Sequence, residues 1–360
     1  MSAEPPGPPE VAPVREGEDL DWPAAEGWIR ARLPGLEAPF EVLQFPGGHA
    51  NLTYLLRFGA RRSGGRELVL RRPPFGPVAP GSHDMVREYD VLSKLWRHLP
   101  TAPRAYLLCE DEAVVGARFF VMERREGVVI RTAIPESMRH HKDAPRRVSF
   151  ALIDAMADLH DVDYEAAGLA GLGRPEGFVA RQVTGWKGRW DRARDVELPL
   201  FDEVHRRLEQ TLPKSGRSSL VHNDLKLDNC QFDPEDPDRV KSIFDWDMTT
   251  LGDPLIDLGT LLGYWAQADD GADRSPTNAL TNRPGFPTRR EIASRYAGRR
   301  GVDLDAIHWY EGFAIWKTAV VLQQIYIRFV RGQTADSRFE ALGARVPTLV
   351  KLASSVLDGA

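Results

Sequence analysis

This sequence has few cysteines, no excess of basic residues and no long apolar run. Each of these features argues against a class of protein. The two cysteines, Cys109 and Cys230, are too few for a disulfide framework, and their spacing does not resemble a zinc site. The formal net charge of −5 argues against a general nucleic-acid binder, which needs surplus Lys and Arg to neutralise phosphates. No apolar stretch approaches the ~20 residues of a membrane span, and the N-terminus lacks a basic-then-apolar signal pattern. We therefore expect a cytoplasmic protein with neither nucleic acid nor a membrane as a partner.

Composition and local pattern divide the chain into a tail and two lobes. With 360 residues, 42% of them hydrophobic, the chain can form a large core and more than one domain. Residues 1–18 are rich in proline and acidic residues, which predicts a disordered tail because little apolar surface is available to offset the entropy of ordering. A first lobe is predicted over 19–124 and a second over 125–360.

The first lobe shows the pattern of a small antiparallel sheet. Alternating apolar residues are separated by Gly47-Gly48 and then by Ser63-Gly64-Gly65, which are hairpin signals. Asp21 and Pro23 are typical of a helix start before the sheet. The predicted strands are 40–46, 51–58, 66–72, 104–109 and 117–123, with one helix inserted at about 84–98.

The second lobe is mainly helical, so the predicted fold class is α+β. Helices are expected at about 145–160, 180–194, 199–212, 286–300, 305–331 and 337–357. A short strand-rich insert from Ser219 to Asp245 interrupts them. It contains the most informative pattern in the chain.

This pattern is an H-x-D-x-x-x-x-N loop, His222 to Asn229, followed by Asp245 after a short apolar run. In such a loop Asp224 would orient an acceptor hydroxyl and take its proton, while Asn229 and Asp245 would hold magnesium against nucleotide phosphates. Their oxygen atoms suit a hard cation. A polar turn followed by an unrelated aspartate is the alternative.

Three residues in or near this loop are expected to support it rather than react. Asp253 precedes Pro254 and is interpreted as a helix cap. Asp257 lies one turn later among apolar residues, so it needs buried donors, for which the loop backbone is the natural source. His222 is also assigned a structural role.

Together, His222–Asn229, Ile243–Asp247 and Gly252–Leu258 resemble the aminoglycoside phosphotransferase/choline-kinase-like branch of the protein-kinase-like fold. The similarity is closest to phosphotransferase domains related to those joined to acyl-CoA dehydrogenases, and it runs from about Phe40 to the last helices. The resemblance implies two lobes, ATP as donor, Mg²⁺ as cofactor and the hydroxyl of a small molecule as acceptor.

The resemblance also implies a nucleotide site in the first lobe. Arg71 would reach the phosphates and Glu88, on an apolar helix stripe, would hold it. Arg at this position departs from the Lys of the kinase pattern, and Asn223 departs from a usual Gly. Other candidates are Gly47, Gly48 and Asn51 over the phosphates, and Val69 with the backbone of Glu123 and Arg124 at the adenine. The alternative for the Gly47-Gly48 segment is an ordinary hairpin turn, and the alternative for Glu123 and Arg124 is a buried strand end.

The sequence allows more than one acceptor and more than one kind of activity. Aromatic and cationic residues of the helical lobe could line an acceptor pocket, although such a stripe is more often core: Arg181, Gln182, Trp186, Trp190, Trp309, Tyr310, Trp316, Lys317 and Arg328. We favour a hydroxyacyl thioester or hydroxy acid over an aminoglycoside or a choline-like acceptor. The alternatives are a pseudokinase-like module that binds a nucleotide or partner without turnover, and a metal-dependent phosphoesterase.

Overall fold

The structure, a computed structural model, describes residues 10–46, 51–59, 65–76, 83–271, 274, 280–334 and 336–359. Contacts divide the chain into two compact units. The first unit comprises Met1–Glu126 and Phe244–Asp247, and the second comprises Gly127–Ile243 and Met248–Ala360. The return of Phe244–Asp247 to the first unit was not predicted from the sequence.

The first unit is built on a five-stranded antiparallel sheet with the strand order β1-β2-β3-β5-β4. Helix α1 precedes the sheet and begins behind the Asp21 cap, as predicted. Helix α2 connects β3 to β4. The bounds are α1 Trp22–Arg30, β1 Phe40–Gln44, β2 Leu52–Phe58, β3 Arg66–Arg72, α2 Met85–Leu95, β4 Ala105–Cys109 and β5 Phe119–Glu123.

Residues 10–18, which belong to the predicted tail, contact the sheet of the first unit. Ala12 exchanges two backbone hydrogen bonds with Gln44 at the edge of β1. The Tyr54 hydroxyl donates to the Glu18 carbonyl at 2.7 Å, and Val14 packs against the apolar core. A few well-placed groups thus anchor residues 10–18 to the sheet, while residues 1–9 of the predicted tail lie outside the described residues.

The second unit is mainly helical, which confirms the predicted α+β class. Its three-stranded sheet has the order β6-β8-β9, and β7 pairs with β10. The bounds are β6 Val128–Val129, α3 Ala144–Asp161, α4 Phe178–Ala193, α5 Pro199–Gln210, β7 Ser219–Val221, β8 Cys230–Asp233, β9 Asp236–Ile243, β10 Thr250–Gly252, α6 Leu255–Tyr264, α7 Arg289–Arg300, α8 Ile307–Val330 and α9 Leu342–Asp358. Across the described ranges, no helix is both long enough and apolar enough to cross a bilayer.

Two packing features position the loop between β7 and β8. Cys230 at the start of β8 pairs with Ile243 at the end of β9, so Asn229 immediately precedes one member of that pair and Asp245 follows the other by two residues. Helix α6 lies very close to α8, because a Cβ added at Gly259 would meet the Tyr310 carbonyl carbon at 2.6 Å. Glycine thus permits a helix contact that any larger residue would disrupt.

Candidate active site

The loop from His222 to Asn229 is held from behind by one buried carboxylate. Asp257, fully buried in the first turn of α6, accepts the N–H groups of His222 at 2.7 Å and Asn223 at 2.6 Å. This confirms the expected source of its donors. Burial alone would raise the pKa of Asp257, but the hydrogen bond and charge of His160 and the neighbouring His222 outweigh burial and lower that pKa.

His160, to which the sequence assigned no role, completes this support. Its Nε2 lies 3.0 Å from Asp257 Oδ2, and its Nδ1 lies 2.7 Å from the Tyr296 hydroxyl. His160 belongs to α3 and Tyr296 to α7. The loop backbone is therefore tied, through one carboxylate, to three different helices.

Asn223 occupies a backbone conformation that explains its residue type. Its φ of 68° lies in the left-handed region, which glycine adopts freely and which asparagine tolerates better than most residues. Its side-chain amide also donates to the Met248 carbonyl at 2.8 Å. The departure from glycine at this position is thus compatible with the same loop geometry.

Asp224 presents a partly exposed carboxylate that two neighbours hold in place. Its side chain is 22% exposed. Lys226 Nζ donates to Asp224 Oδ2 at 2.8 Å, and the Asn229 amide nitrogen donates to the same oxygen at 2.9 Å and to the Asp224 carbonyl at 2.8 Å. This carboxylate is accessible and oriented, as a group that takes a proton from a bound hydroxyl must be.

In the first unit, Arg71 bridges two carboxylates. Its Nε donates to Glu88 Oε2 at 2.9 Å, as the apolar stripe predicted, and its Nη2 donates to Asp245 Oδ1. Burial by itself lowers the pKa of Arg71, but Glu88 and Asp245 reverse that effect and raise the pKa. Asp245 has a φ of 68°, a conformation that costs energy for a residue other than glycine.

The other residues predicted to contact the nucleotide differ in their surroundings. Gly47 and Gly48 lie outside the described residues. Asn51 is buried, with Oδ1 2.8 Å from His83 Nδ1, and Val69 is buried in β3. The N–H of Glu123 donates to the Arg104 carbonyl, so an adenine contact at Glu123 would have to use its carbonyl oxygen. The Arg124 guanidinium pairs with Glu10 at 2.6 Å.

Most aromatic candidates for the acceptor pocket belong to the core. Trp190 stacks on Phe201 with the ring centroids 4.0 Å apart, and Phe201 stacks on Trp316. Trp309 Nε1 donates to a backbone carbonyl, and the Tyr310 hydroxyl donates to Asp253 at 2.6 Å. Asp253 Oδ1 also accepts the N–H of Leu255, but the N-cap of α6 is Pro254, so Asp253 lies one residue before the predicted capping position. Arg181 and Arg328 are exposed.

Trp186 differs from these because cations surround it. The Arg189 guanidinium lies 4.2 Å from the Trp186 ring centroid, and Lys317 Nζ lies 5.9 Å from it. Gln182 accepts the indole N–H at 3.2 Å. Lys226 Nζ is also 5.3 Å from the Tyr264 ring. Lys226 thus places one positive charge against Asp224, while Arg189 and Lys317 lie beside Trp186.

Comparison with known proteins decides the family. The model of the phosphotransferase enzyme family matches residues 41–292, which is more than half of the chain. The chain belongs to this phosphotransferase family. A protein of Ralstonia eutropha named for aminoglycoside phosphotransfer has a similar structure, with a TM-score of 0.78, 28% identity and coverage of 95% of this chain and 99% of that one.

Full-length relatives of this phosphotransferase family member are longer proteins. Acyl-CoA dehydrogenase family member 11 of Gallus gallus is 30% identical over 342 residues, covering 92% of this chain and 43% of the relative. Member 10 of Mus musculus is 28% identical over 351 residues, covering 96% of this chain and 32% of the relative. The chain thus spans less than half the length of these relatives. Choline kinase from Cryptosporidium parvum, with a TM-score of 0.61 and 12% identity, covers 94% of this chain and 97% of its own, and shares the fold.

Lys226 is the principal site residue of this family member that sequence reasoning missed. Burial lowers the pKa of its ammonium, but Asp224 more than reverses this and raises the pKa, so Lys226 stays charged. The available signal was its position two residues after Asp224, inside the motif. A lysine there can reach the same carboxylate that the motif is expected to present.

The left-handed conformation of Asn223 predicts how substitutions will behave in this phosphotransferase family member. Asn223→Gly should keep the loop conformation and melt within a few degrees of the wild type, because glycine tolerates positive φ. Asn223→Val should destabilise the protein by at least ~1–2 kcal/mol, because a β-branched residue is strained there. Thermal unfolding of both variants checks this, and equal melting temperatures for the two would contradict it.

Glu88 predicts a pH-dependent contribution to stability. Burial raises the pKa of its carboxyl from 4.5 to about 7, although Arg71 opposes the rise. Because the folded-state pKa lies above the unfolded one, this contribution is complete below pH 4.5 and is lost as the pH rises through 7. Relative to Glu88→Gln, which cannot ionise, wild-type stability should fall by about 3 kcal/mol across that window. Urea unfolding of both proteins from pH 4.5 to 8 measures it; a constant difference would refute the assignment.

Proposed function

We propose that this chain transfers the γ-phosphoryl group of ATP, with Mg²⁺, to a hydroxyl group of a small molecule. The observation that carries the proposal is the accessible Asp224 carboxylate, oriented by Lys226 and Asn229. Asp224 takes the proton as the hydroxyl oxygen bonds to the γ-phosphorus, and the bond from that phosphorus to the oxygen of ADP breaks. Positioning and charge stabilisation would supply most of the acceleration.

The donor set suits magnesium. The amide nitrogen of Asn229 donates to Asp224, which leaves its amide oxygen as a ligand atom, and Asp245 offers a carboxylate. Both are oxygen donors, as Mg²⁺ requires. Bound there, Mg²⁺ would neutralise charge on the phosphates. Arg71, held by Glu88, would add a cation in this role.

The remaining nucleotide contacts are carried over from the resemblance. The segment with Gly47, Gly48 and Asn51 would cover the phosphates, since glycine lets the backbone approach them closely. Val69 and the backbone of Glu123 and Arg124 would contact the adenine. GTP is the alternative donor, and parallel binding measurements with Mg-ATP and Mg-GTP distinguish the two.

For the acceptor we propose a hydroxyacyl thioester or a hydroxy acid. Lys226, Lys317 and Arg189 bring positive charge close to Asp224 and Trp186, which favours an anionic acceptor over the polycationic aminoglycosides or a choline-like amine. Asp270, one of the acidic residues that could have served a polycation, is already paired with Arg289 at 2.7 Å. The relatives named as acyl-CoA dehydrogenase family members point to acyl thioesters as well.

A second candidate function is nucleotide or partner binding without turnover. The contact between Arg71 and Asp245 favours it, because this cation occupies an oxygen atom that magnesium would otherwise use. Binding of ATP with Mg²⁺ and no turnover on any acceptor would support this alternative.

The deciding experiment is ADP release from Mg-ATP over a panel of acceptors: hydroxyacyl-CoA esters, free hydroxy acids, aminoglycosides, choline and sugars. Turnover with the first two classes alone is the expected result. Turnover with aminoglycosides or choline alone would refute the acceptor class but retain the phosphotransfer. Thermal shift with Mg-ATP and Mg-GTP in parallel distinguishes absent binding from absent turnover.

A further inference from the structure

Lys317 is a buried cation in the middle of α8 to which the proposed phosphoryl-transfer step assigns no part. Lys317 is only 5% exposed to solvent. Its Nζ lies 3.3 Å from the Asn223 carbonyl oxygen and 3.4 Å from Thr260 Oγ1. Burial lowers the pKa of this ammonium, so a charge at this position is costly and needs a compensating role.

The partner of Lys317 is the peptide group that leads directly into Asp224. Asn223 is held at its N–H by Asp257 and at its side chain by the Met248 carbonyl. Lys317 holds a third polar group of the residue, its carbonyl oxygen. A residue with positive φ is thereby fixed at three points, and the direction of the next residue, Asp224, is fixed with it.

The fold accounts for how a residue far along the chain reaches this carbonyl. Gly259 lets α6 and α8 approach closely, and the next residue, Thr260, faces Lys317. Lys317 therefore connects two packed helices to the loop. A lysine suits this position because its long stem crosses apolar surface while its ammonium offers three donors.

We propose that Lys317 is a positioning residue for Asp224, acting through the Asn223 carbonyl group. The inference rests on the proposed phosphotransfer for its effect on rate, but not for its effect on the loop. Without the ammonium, the Asn223 peptide can rotate and the Asp224 carboxylate moves relative to the acceptor. A displacement on the order of 1 Å can cost ~10²-fold in rate.

The test compares Lys317→Met, Lys317→Arg and a matched control, Gln323→Leu. Gln323 is also buried on α8, and its amide donates to Ala193 and Asp195, away from the loop. Hydrogen exchange of the peptide covering 222–229 is measured by mass spectrometry. Exchange should accelerate at least ~10-fold in Lys317→Met, stay near the wild-type rate in Gln323→Leu and be largely restored in Lys317→Arg.

Steady-state ADP release with Mg-ATP and 3-hydroxybutyryl-CoA is measured on the same proteins. Lys317→Met should lose ~10- to 10²-fold in kcat with the KM for ATP within about threefold, because the nucleotide contacts are untouched. Loop exchange in Lys317→Met equal to that in Gln323→Leu would overturn the inference. An inactive wild type whose loop exchange still responds to Lys317→Met would count against the proposed function and leave the positioning role supported.

Discussion

Asp224→Asn is expected to lower kcat by at least ~10²–10⁴-fold, the loss typical of a missing general base. The substitution keeps the size of the side chain but removes the carboxylate that Lys226 and Asn229 orient. Binding of Mg-ATP should persist, since Asp224 contacts the acceptor rather than the nucleotide. ADP release with a responsive acceptor and thermal shift with Mg-ATP measure the two effects separately.

Asp228→Asn supplies the matched control for that experiment. Asp228 lies in the same loop, so the substitution removes a carboxyl group from the same region. Burial raises the pKa of this carboxyl. Its kcat should stay within a few-fold of the wild type. An Asp224→Asn enzyme as active as the Asp228→Asn enzyme would remove Asp224 from the reaction and favour a binding module.

Arg71→Met is expected to have the largest effect on stability. At pH 8 the variant leaves the buried Glu88 carboxyl without its guanidinium, so that carboxyl must either stay charged and unpaired or take up a proton, and breaking a buried pair in this way typically costs ~3–5 kcal/mol. Arg71→Met/Glu88→Met should recover most of this loss, because a buried ion pair replaced by apolar residues is often neutral in stability. Activity should not recover, because the cation that serves the phosphates is still missing. Urea unfolding and ADP release separate these two outcomes.

Arg72→Met is the control for the loss of a buried arginine from the same strand. Arg72 is 3% exposed and donates to backbone carbonyls of Pro73 and Val115 rather than to carboxylates. It should cost ~1–3 kcal/mol, as for carbonyls left without donors, with kcat nearly unchanged. Recovery of full activity in the Arg71→Met/Glu88→Met enzyme would show that Arg71 serves structure alone.

Sequence reasoning succeeded where the chemistry is local. The strands of the first sheet and the demand of Asp257 for donors could both be read from neighbouring residues, because spacing along a strand or helix determines them. The pair Arg71–Glu88 was also predictable, since a carboxylate on an apolar helix stripe requires a cation.

Two of the missed contacts join residues that are far apart in the chain. His160 meets Asp257 from 97 positions away, and Lys317 reaches Asn223 from 94 positions away. Nothing in the local pattern indicates such partners, because only the packing of α3, α6 and α8 brings them together. The order of residues 10–18 likewise depends on contacts with Gln44 and Tyr54, which composition does not report.

The assignment of Phe244–Asp247 to the first unit has a consequence for dissecting the protein. A fragment ending at Glu126 would contain the whole five-stranded sheet but lack Asp245, leaving Arg71 with only one of its two carboxylates. Such a fragment would leave Nη2 of the buried Arg71 guanidinium without the carboxylate that accepts its hydrogen bond. The first unit therefore cannot be expressed or exchanged as one continuous segment. A functional chimera has to include Phe244–Asp247 together with the sheet.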